Sequence, residues 1–561
     1  MAVTTFTPSR VDAFAGYPEK KVTLYFVITG FVALLVGALI GPLQALNYAG
    51  INVYTYLPFL RSYYQGLTLH GVLNAIVFTT FFNCGWMLYL PARDLNMRPN
   101  MRWVWSAYWI MTGGLGLAGI AIISNSSNVL YTFYPPLQGS WGFYVGAALI
   151  IVGSLMIGGE VVRMRQVWKR HHPDEATPLV TYMSVMTWLM WILASLGIVA
   201  EAVFMLIPWS LGLVQGVDPQ LARTLFWFTG HPIVYFWLLP AYISWYAFVP
   251  YQAGGKLISD PLARLAFLMF LLFSVPVGFH HQFSDPGIPM AWKLVHSLLT
   301  MFVGLPSSLT AFTIAASLEL AGRKRGGRGL FGWIKALPWN NPSFTAQVLA
   351  MISFIFGGAG GIVNASFTLN TLVHNTTWVP GHFHVTVGTA TTLTFMGVTF
   401  WLIPHLTRKP LISKTLALVA SWLWFAGMMI FAFGMHWQGL LGVPRRAQIS
   451  NLAPGLEGAY ADAIIPQFLT GLSGVILLIA VFCYFSVLIG TLTLRVHYNE
   501  ESTPGIPASQ NLRISNEGTI KFLDAVWFWF AIAVLLVVVA YLPMLISMVS
   551  NQVPIPGMRM W

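Results

Sequence analysis

The sequence predicts an all-α fold, a polytopic bundle of about 13 transmembrane helices with its N-terminus in the cytoplasm. Of the 561 residues, 57% are apolar, 15% are aromatic and only 8% are charged. This composition is typical of a chain that lies within a membrane. Apolar runs long enough to cross ~30 Å of hydrocarbon recur along the whole chain, and its basic residues fall mostly on one side of them.

Each predicted span is an apolar run of the length that a helix needs to cross the bilayer, about 20 residues at 1.5 Å per residue. The spans lie near residues 22–47, 66–91, 103–123, 141–162, 178–208, 221–249, 262–284, 292–320, 344–370, 377–405, 413–440, 465–495 and 521–549. No segment between them is long enough for a soluble domain. Residues 1–561 are therefore predicted to form a single transmembrane unit.

The basic residues orient this bundle. With residues 1–20 as a polar cytoplasmic N-terminus, most of the 29 Lys and Arg residues fall on the cytoplasmic side, as the positive-inside rule requires. The net charge of +12 therefore reflects topology, and no nucleic-acid partner is predicted. The first 20 residues lack the apolar stretch of a cleaved signal peptide. Residues 496–520 are predicted to form a cytoplasmic loop before the last helix.

Six histidines lie inside or at the edges of the apolar spans, where an imidazole without a partner is costly to desolvate. They are His70, His231, His280, His281, His382 and His384. Metal ions are the expected partners. Cys84 and Cys483 also lie in apolar spans, which leaves no cysteine framework for a disulfide scaffold, a zinc site or a dinuclear copper site in this chain.

The pair His382 and His384 is the most informative. Residues two apart on a helix point roughly 200° apart, so the two rings face opposite sides and cannot easily share one ion. A helix with ligands back to back is best interpreted as a wall between two metal centres. That geometry suggests electron transfer.

All six histidines fall in the outer half of the predicted membrane, although their four helices alternate in direction. Any one of them could instead be a polar group that bridges two helices, but the shared depth of six favours metal sites. His280 and His281 diverge on an ideal helix. Pro286 and Gly287 follow them and favour an unwound end where both rings meet one ion, with a plain helix terminus as the alternative.

Three motifs resemble those of subunit I of the haem-copper terminal oxidases, and the resemblance extends over essentially the full chain. They are Trp227-Phe-Thr-Gly-His231-Pro-Ile-Val-Tyr235, Gly278-Phe-His280-His281 and Pro380-Gly-His382-Phe-His384. The resemblance implies the catalytic subunit of a respiratory oxidase. Such an enzyme reduces dioxygen to water, takes up protons from the cytoplasm and pumps protons outward.

Carried over by position, the resemblance implies two haems and one copper ion. His70 and His384 correspond to the axial ligands of a low-spin haem, expected to be b-type. His382 corresponds to the ligand of a high-spin haem, expected to be a-type. The three copper ligands correspond to His231, His280 and His281.

Tyr235 lies four residues after His231, so both side chains share one helical face. In the family this tyrosine is covalently joined to the histidine and supplies an electron and a proton for cleavage of the oxygen–oxygen bond. A packing or interfacial tyrosine is the alternative interpretation.

Protons need a polar track to reach such a site. Tyr242 and Tyr246 continue inward on the face of Tyr235. The eighth span carries a companion stripe of hydroxyls, and Ser259 lies near the cytoplasmic mouth. The stripe consists of Ser307, Thr310 and Thr313. Hydroxyls in membrane helices often bond only to the preceding turn, which is the alternative for each.

The absence of carboxylates from the middle of the spans indicates which branch of the family the chain resembles. No Asp or Glu is expected at mid-depth, and Ile233 stands where mitochondrial-type relatives carry Glu. The acidic residues of the spans lie near outer ends (Glu201, Asp285) or inner ends (Glu160, Glu319, Asp524). The chain is therefore similar to the B-type branch, most closely to the ba-type cytochrome c oxidases.

Four residues on the outer side are candidates for haem-propionate partners or exposed loop groups. They are His374, Asn370, Arg445 and Arg446. Asn370 departs from the branch, whose members often carry an acidic residue there, so an exit-side proton-loading role for that position is in doubt.

The resemblance also implies partners and a location. We expect a subunit II with a dinuclear copper centre, a small helical subunit, and cytochrome c or another small electron donor. The expected location is the inner membrane of a prokaryotic cell. Two rivals remain open: a nitric oxide reductase of the same superfamily, with glutamates near its second metal, and a cofactor-free proton transporter.

Overall fold

Long apolar helices joined by short loops make up the computed structural model. It describes residues 6–7, 13–14, 16–452, 456, 458–498, 503–511 and 517–559. Most of the predicted N-terminal segment 1–20 that precedes the first helix, and parts of the loop 496–520, lie outside the described residues.

The α-helices are α1 Pro18–Tyr48, α2 Tyr63–Gly71, α3 Thr79–Asp94, α4 Met101–Ile123, α5 Trp141–His171, α6 Leu179–Glu201, α7 Ile207–Ser210, α8 Pro219–Gly230, α9 Pro232–Ala247, α10 Val249–Gln252, α11 Asp260–Phe273, α12 Met290–Lys324, α13 Gly332–Ala336, α14 Pro342–Ala365, α15 Phe367–Val373, α16 Trp378–Val385, α17 Thr392–Thr407, α18 Lys414–Leu440, α19 Ile464–Thr493, α20 Glu517–Leu523 and α21 Val526–Ser550. Three π-helical segments join α2 to α3, α6 to α7 and α16 to α17. They are Val72–Phe78, Ala202–Leu206 and Thr386–Thr391. Three 3₁₀ turns are Tyr54–Tyr56, Gly278–Gln282 and Ala461–Ala463. A two-stranded antiparallel sheet pairs β1 Phe6–Thr7 with β2 His497–Tyr498.

Eleven helical runs among the described residues are long and apolar enough to cross a membrane. The predicted sixth and seventh spans are present but broken. The break between α8 and α9 falls at His231, where Pro232 has no N–H to donate to the preceding turn. Helix α11 ends at Phe273, ahead of Pro276, and the chain then forms a 3₁₀ turn. The polytopic all-α fold is confirmed, with two spans shorter than predicted.

Side-chain caps begin several helices. Each capping residue accepts a hydrogen bond from a backbone N–H in the first turn, which stabilises a helix by about 1 kcal/mol. The caps are Ser62, Asn100, Asp218, Ser259, Asn341 and Ser413.

The most enclosed spans are α2–α3 and α16–α17, which neighbouring helices surround on nearly all sides. These runs carry His70 and the pair His382 and His384. Packing therefore holds these three imidazoles in the centre of the bundle, away from lipid.

Buried ion pairs tie the last helix to the inner end of the bundle. Arg165 and Lys169 on α5 each lie 3.3 Å from a carboxylate oxygen of Asp524. Arg264 on α11 pairs with Asp260 and donates to the carbonyl of Thr177 at 2.8 Å. Since breaking a buried pair leaves an uncompensated charge, the two contacts of Asp524 fix the segment between α20 and α21.

Candidate active site and metal centres

Helix α16 separates two internal cavities of about 180 and 560 Å³. His384 lines the smaller cavity and His382 the larger. Phe383 lines both, so the helix forms a wall one side chain thick. The two rings therefore face opposite sides, as the spacing in the sequence predicts.

The smaller cavity lies between His70 and His384. Their ring centroids are 6.0 Å apart and the rings lie within 13° of parallel. Two imidazoles that bind one metal from opposite sides, each at ~2.0–2.1 Å, have ring centroids about 6 Å apart. The pair therefore fits a six-coordinate iron between them.

Backbone carbonyls set the tautomers of these imidazoles. The Nδ1–H of His70 donates to Gly37 O at 2.9 Å, and that of His384 donates to Pro380 O at 2.7 Å. Because a carbonyl only accepts, each Nε2 keeps its lone pair for a metal. A Cβ on Gly41 would lie 3.2 Å from the His70 ring, so glycine leaves room for that ring.

A π-helical segment follows each of these ligand positions, Val72–Phe78 after His70 and Thr386–Thr391 after His384. The wider π-helical turn changes the direction in which the following side chains of the helix point. Such segments occur frequently at functional sites. The sequence does not indicate these segments, because its apolar pattern is the same for a π-helical turn as for α-helix.

The larger cavity is lined by His231, His280, His281 and His382 together. The ligand nitrogens of the first three lie within 4.8 Å of one another. His231 stands at the break between α8 and α9, and the other two lie on the 3₁₀ turn Gly278–Gln282. The adjacent rings of His280 and His281 have centroids only 4.1 Å apart, so both imidazoles lie together on the cavity.

The spacing of this trio fits one small ion. Nδ1 of His231 lies 3.0 Å from Nε2 of His281, and two nitrogens ~2.0 Å from the same metal lie about 3 Å apart. Nε2 of His231 has no hydrogen-bond partner among the described residues.

Neighbouring residues orient the other two rings. Thr300 donates its hydroxyl hydrogen to His296 O at 2.6 Å, so its oxygen accepts from Nδ1–H of His280 at 3.0 Å. This leaves Nε2 of His280 free for a metal. Trp227 stacks on His281 with a centroid separation of 3.7 Å.

His382 faces the three histidines across the larger cavity. Its Nδ1–H donates to Gly357 O at 2.9 Å, so its Nε2 keeps the lone pair. A Cβ on Gly360 or Gly361 would lie 3.2 Å from this ring. The glycines leave room for the imidazole, and the donor set fits an iron ligand on this side of the cavity.

Tyr235 lines the larger cavity one turn after His231. The two ring centroids are 5.0 Å apart and the planes meet at 62°. The phenol is therefore adjacent to the three-histidine cluster, at a depth where an aromatic belt does not lie.

A series of hydroxyls leads from this cavity toward the inner end. Ser307 lines the cavity, and the hydroxyl of Tyr242 donates to it at 3.4 Å. The hydroxyl of Tyr246 donates to Thr310 at 2.8 Å, while Thr310 and Thr313 each donate to a carbonyl of the preceding turn. Thr310 and Thr313 of α12 thus form hydrogen bonds within their own helix, and Ser307 and Thr310 accept hydrogen bonds from tyrosines of α9.

At the inner end of this series, Ser317 accepts from the N–H of Ile258 at 3.1 Å. Ser259 accepts from the N–H of Leu262 at 3.3 Å and so caps α11. The hydroxyl of Ser259 therefore caps a helix, in addition to any role at the cytoplasmic end of the proton track.

The outer rim of the cavities is basic. Arg445 lines both cavities and donates two hydrogen bonds to Asn375, at 2.9 and 3.2 Å. The guanidinium of Arg446 lies 5.5 Å from the ring centroids of Tyr131 and Tyr134, and its Nη2 is buried without a partner among the described residues. Burial and the adjacent Arg446 lower the pKa of Arg445 to about 10. An anionic group would satisfy these cations, so the rim fits carboxylates such as haem propionates.

Asn370 and His374 lie together on the larger cavity. Asn370 donates to Asn364 O at 2.7 Å, which directs its carbonyl oxygen to accept from Nδ1–H of His374 at 3.1 Å. Burial, followed by the charge of Arg445, lowers the pKa of His374.

Comparison with known proteins agrees with this geometry. Residues 21–470 match the family described as Cytochrome C and Quinol oxidase polypeptide I. The chain is 55% identical to cytochrome c oxidase subunit 1 of Thermus thermophilus over the whole of both chains. It is 26% identical to that of Synechocystis, over 78% of this chain and 81% of the relative. A haem-copper terminal oxidase dimer solved by cryo-EM has a TM-score of 0.92 and 37% identity, over 97% and 96% of the two chains. The chain belongs to the subunit I family of haem-copper oxidases.

Membership settles the main expectations from the sequence. As a haem-copper oxidase subunit I, the chain is the catalytic subunit of a respiratory terminal oxidase, an oxidoreductase. Its family uses haem and copper, and it is a multi-pass membrane protein that assembles with other subunits. The identity to the Thermus subunit supports the B-type branch.

Within this oxidase subunit, one acidic residue lies deeper than the sequence indicated. Glu201 is fully buried, nine residues before the end of α7 at Ser210, and neither carboxylate oxygen has a partner among the described residues. The helical run extends two residues past the predicted end at residue 208, to Ser210. Asp285, in contrast, pairs with Arg223 at 3.0 Å.

Sequence reasoning also missed several residues that shape the oxidase site. Thr300 and Ser317 look like ordinary helix hydroxyls in the sequence. Tyr131 stacks on Phe383 with centroids 6.1 Å apart and lines both cavities. It lies between the predicted third and fourth spans and in no motif, so only its place in the folded chain reveals it.

Proposed function

We propose that residues 1–561 act as a single transmembrane catalytic unit that holds two haems and one copper ion. His70 and His384 would together hold a low-spin haem, and His382 would hold a high-spin haem. The residues that would hold the copper ion are His231, His280 and His281. The opposed cavities on the two faces of α16 are the observation that carries this assignment.

The chemistry of the groups follows from their ligation. When bound, the low-spin haem passes electrons singly, and the high-spin haem with copper binds and reduces dioxygen. In line with the ba-type resemblance, we assign a b-type low-spin haem and an a-type high-spin haem.

The chain's own residues then hold and move protons. Tyr235 holds its phenol O–H beside the copper ligands, where it would give a proton and an electron to dioxygen as the oxygen–oxygen bond is cleaved. Tyr242 and Tyr246, with their partners Ser307 and Thr310, carry protons toward it from the inner side. Thr313 and Ser259 continue this track to the mouth.

Charges on the outer rim orient the haems. Arg445 and Arg446 hold haem propionates, because two adjacent guanidinium groups that have no carboxylate partner among the described residues favour bound anions. His374 and Asn370 complete this rim. Since Asn370 is not ionisable, any proton held there resides on His374 or a propionate.

The absence of acidic residues around the larger cavity supports oxygen rather than nitric oxide as substrate. Among the described residues that line it, none is Asp or Glu. A nitric oxide reductase is expected to carry glutamates near its second metal.

We propose the inner membrane of a prokaryote as the location, in keeping with the bacterial relatives. Electrons come from cytochrome c or a similar small donor through a subunit II that carries a dinuclear copper centre. A small helical subunit completes the complex, and proton uptake is coupled to outward pumping.

One experiment tests the metal assignment. The purified complex is analysed for iron and copper and by optical spectroscopy of the reduced state, with and without carbon monoxide. We expect two haem signatures, of which carbon monoxide shifts one, and a copper content that matches one ion in this subunit in addition to those of subunit II. His384→Leu should lose the low-spin signature and keep the carbon monoxide response.

Two outcomes would contradict the proposal. A colourless complex would favour a proton transporter, and iron without copper in this subunit would favour a nitric oxide reductase. His436→Leu serves as a control, because His436 lies on α18 and does not line either cavity.

A further inference from the structure

The loop between α12 and α14 is strongly basic. Its five cationic side chains are all exposed, and no Asp or Glu occurs from residue 320 to residue 456. They are Arg323, Lys324, Arg325, Arg328 and Lys335. Glu319 pairs with Arg323 at 2.6 Å. Of the acidic groups that the structure describes, none forms an ion pair with the other four.

The same loop exposes large apolar side chains beside these charges. Leu330 is 74% exposed and Phe331 is 67% exposed. An exposed apolar pair among cations is characteristic of a segment that lies in the interface of a membrane with anionic lipids.

The loop is folded rather than extended. The backbone of Trp333 packs directly on Gly322 and Gly327, where a Cβ would come within 2.4 Å of it. Arg325 donates to Ala336 O at 2.8 Å, and Gly326 and Gly329 have φ values of +93° and +71°. The fold therefore holds Leu330 and Phe331 outward in a fixed arrangement next to the charges.

We propose that this loop, residues 323–335, is a binding site for an anionic phospholipid. Arg328 and Lys335 contact the phosphate headgroup, and Leu330 and Phe331 insert among the acyl chains. The uncompensated charge of the loop argues for an anionic occupant, and the paired apolar side chains argue for a lipid rather than a soluble anion.

The site lies close to the inner end of the hydroxyl series. Ser317, which accepts from Ile258 N, lies two turns before Arg325 on the same helical run. A Cβ on Gly254 would lie 3.5 Å from Nη1 of Arg325. The start of the loop therefore packs beside the segment that leads to Ser259.

Photocrosslinking of the intact complex tests this proposal. The complex is reconstituted in phosphatidylcholine vesicles that contain either photoactivatable phosphatidylglycerol or photoactivatable phosphatidylcholine, and crosslinked peptides are identified by mass spectrometry. We expect phosphatidylglycerol to label residues 323–335 about fivefold more than phosphatidylcholine does. The double variant R328Q/K335Q should lose this preference, and L330S/F331S should lose labelling by both probes.

The double variant R102Q/R170Q is the matched control, because it removes two exposed cytoplasm-side charges elsewhere and should keep the preference. Equal labelling by both lipids would overturn the charge-based recognition. Suppression of labelling by inorganic phosphate would show a soluble anion site instead of a lipid site. Absence of labelling with either probe would show that another subunit covers the loop, and would also overturn the proposal.

Discussion

At the scale of single residues, the assignment depends on which imidazole nitrogen is left free. His70, His382 and His384 each donate Nδ1–H to a backbone carbonyl, so all three present Nε2. The sequence predicted which side of the helix each of the last two faces, because that follows from a fixed 100° step per residue. It did not predict the carbonyl partners, which depend on how distant helices pack.

Replacement of Tyr235 tests the residue at the reacting site. Tyr235→Phe should keep both haems and the copper ion but lose oxygen consumption by about a hundredfold, because the ring remains and the proton donor is removed. Oxygen electrode assays and metal analysis measure both properties. Tyr484→Phe removes another buried hydroxyl, which lies beside Thr399, and should remain active. Normal turnover in the Tyr235 variant would refute the assigned role.

Thr300 provides a test of copper retention. Thr300→Val removes the acceptor for His280 Nδ1–H while keeping the shape of the side chain. Loss of such an outer partner typically weakens metal affinity 10–100-fold. We expect less copper per haem after dialysis against a chelator, as measured by elemental analysis. Thr187→Val, whose hydroxyl bonds only to Met183 O, should match the unmodified protein, and equal copper in both variants would contradict this orienting role.

At the scale of elements, the proposed copper ligands lie where regular helix ends, and the proposed haem ligands lie on helices that continue into π-helical segments. His231 stands at the α8–α9 break, His280 and His281 occupy a 3₁₀ turn, and π-helical segments follow α2 and α16. The sequence indicated the unwound end near His280 through Pro286 and Gly287, and Pro232 explains the break at His231. The π-helical segments have no such marker, since they arise from packing between whole helices.

The pairing of α9 with α12 predicts the effect of removing one hydroxyl. Thr310→Val takes away the acceptor of the Tyr246 hydroxyl and should slow turnover about tenfold while both haem spectra stay unchanged. Stopped-flow measurement of proton uptake should show the same decrease. Ser353→Ala, in which the lost hydroxyl bonds only to Ala350 O, is the control. An equal effect of both substitutions would indicate a packing defect rather than a lost proton carrier.

At the scale of the whole molecule, composition and charge bias were sufficient to predict the fold class, because a bilayer permits few kinds of backbone structure in a chain this apolar. Helix lengths followed from the same constraint, apart from the two broken spans. The depth of Glu201 and the contacts of Asp524 could not be predicted, since each depends on where a helix ends and which neighbour it meets. Tertiary packing, not local sequence, decides those positions.

The ion pairs of Asp524 give a prediction about the stability of the assembled bundle. Asp524→Asn leaves Arg165 and Lys169 facing a neutral group, and breaking a buried pair costs about 3–5 kcal/mol because a charge remains buried without compensation. Since membrane complexes unfold irreversibly, the measured quantity is the half-life of haem absorbance at elevated temperature, which should fall at least about tenfold. Glu319→Gln disrupts an exposed pair with Arg323 and should change the half-life little. If both substitutions shorten the half-life equally, burial is not what gives the Asp524 pairs their strength.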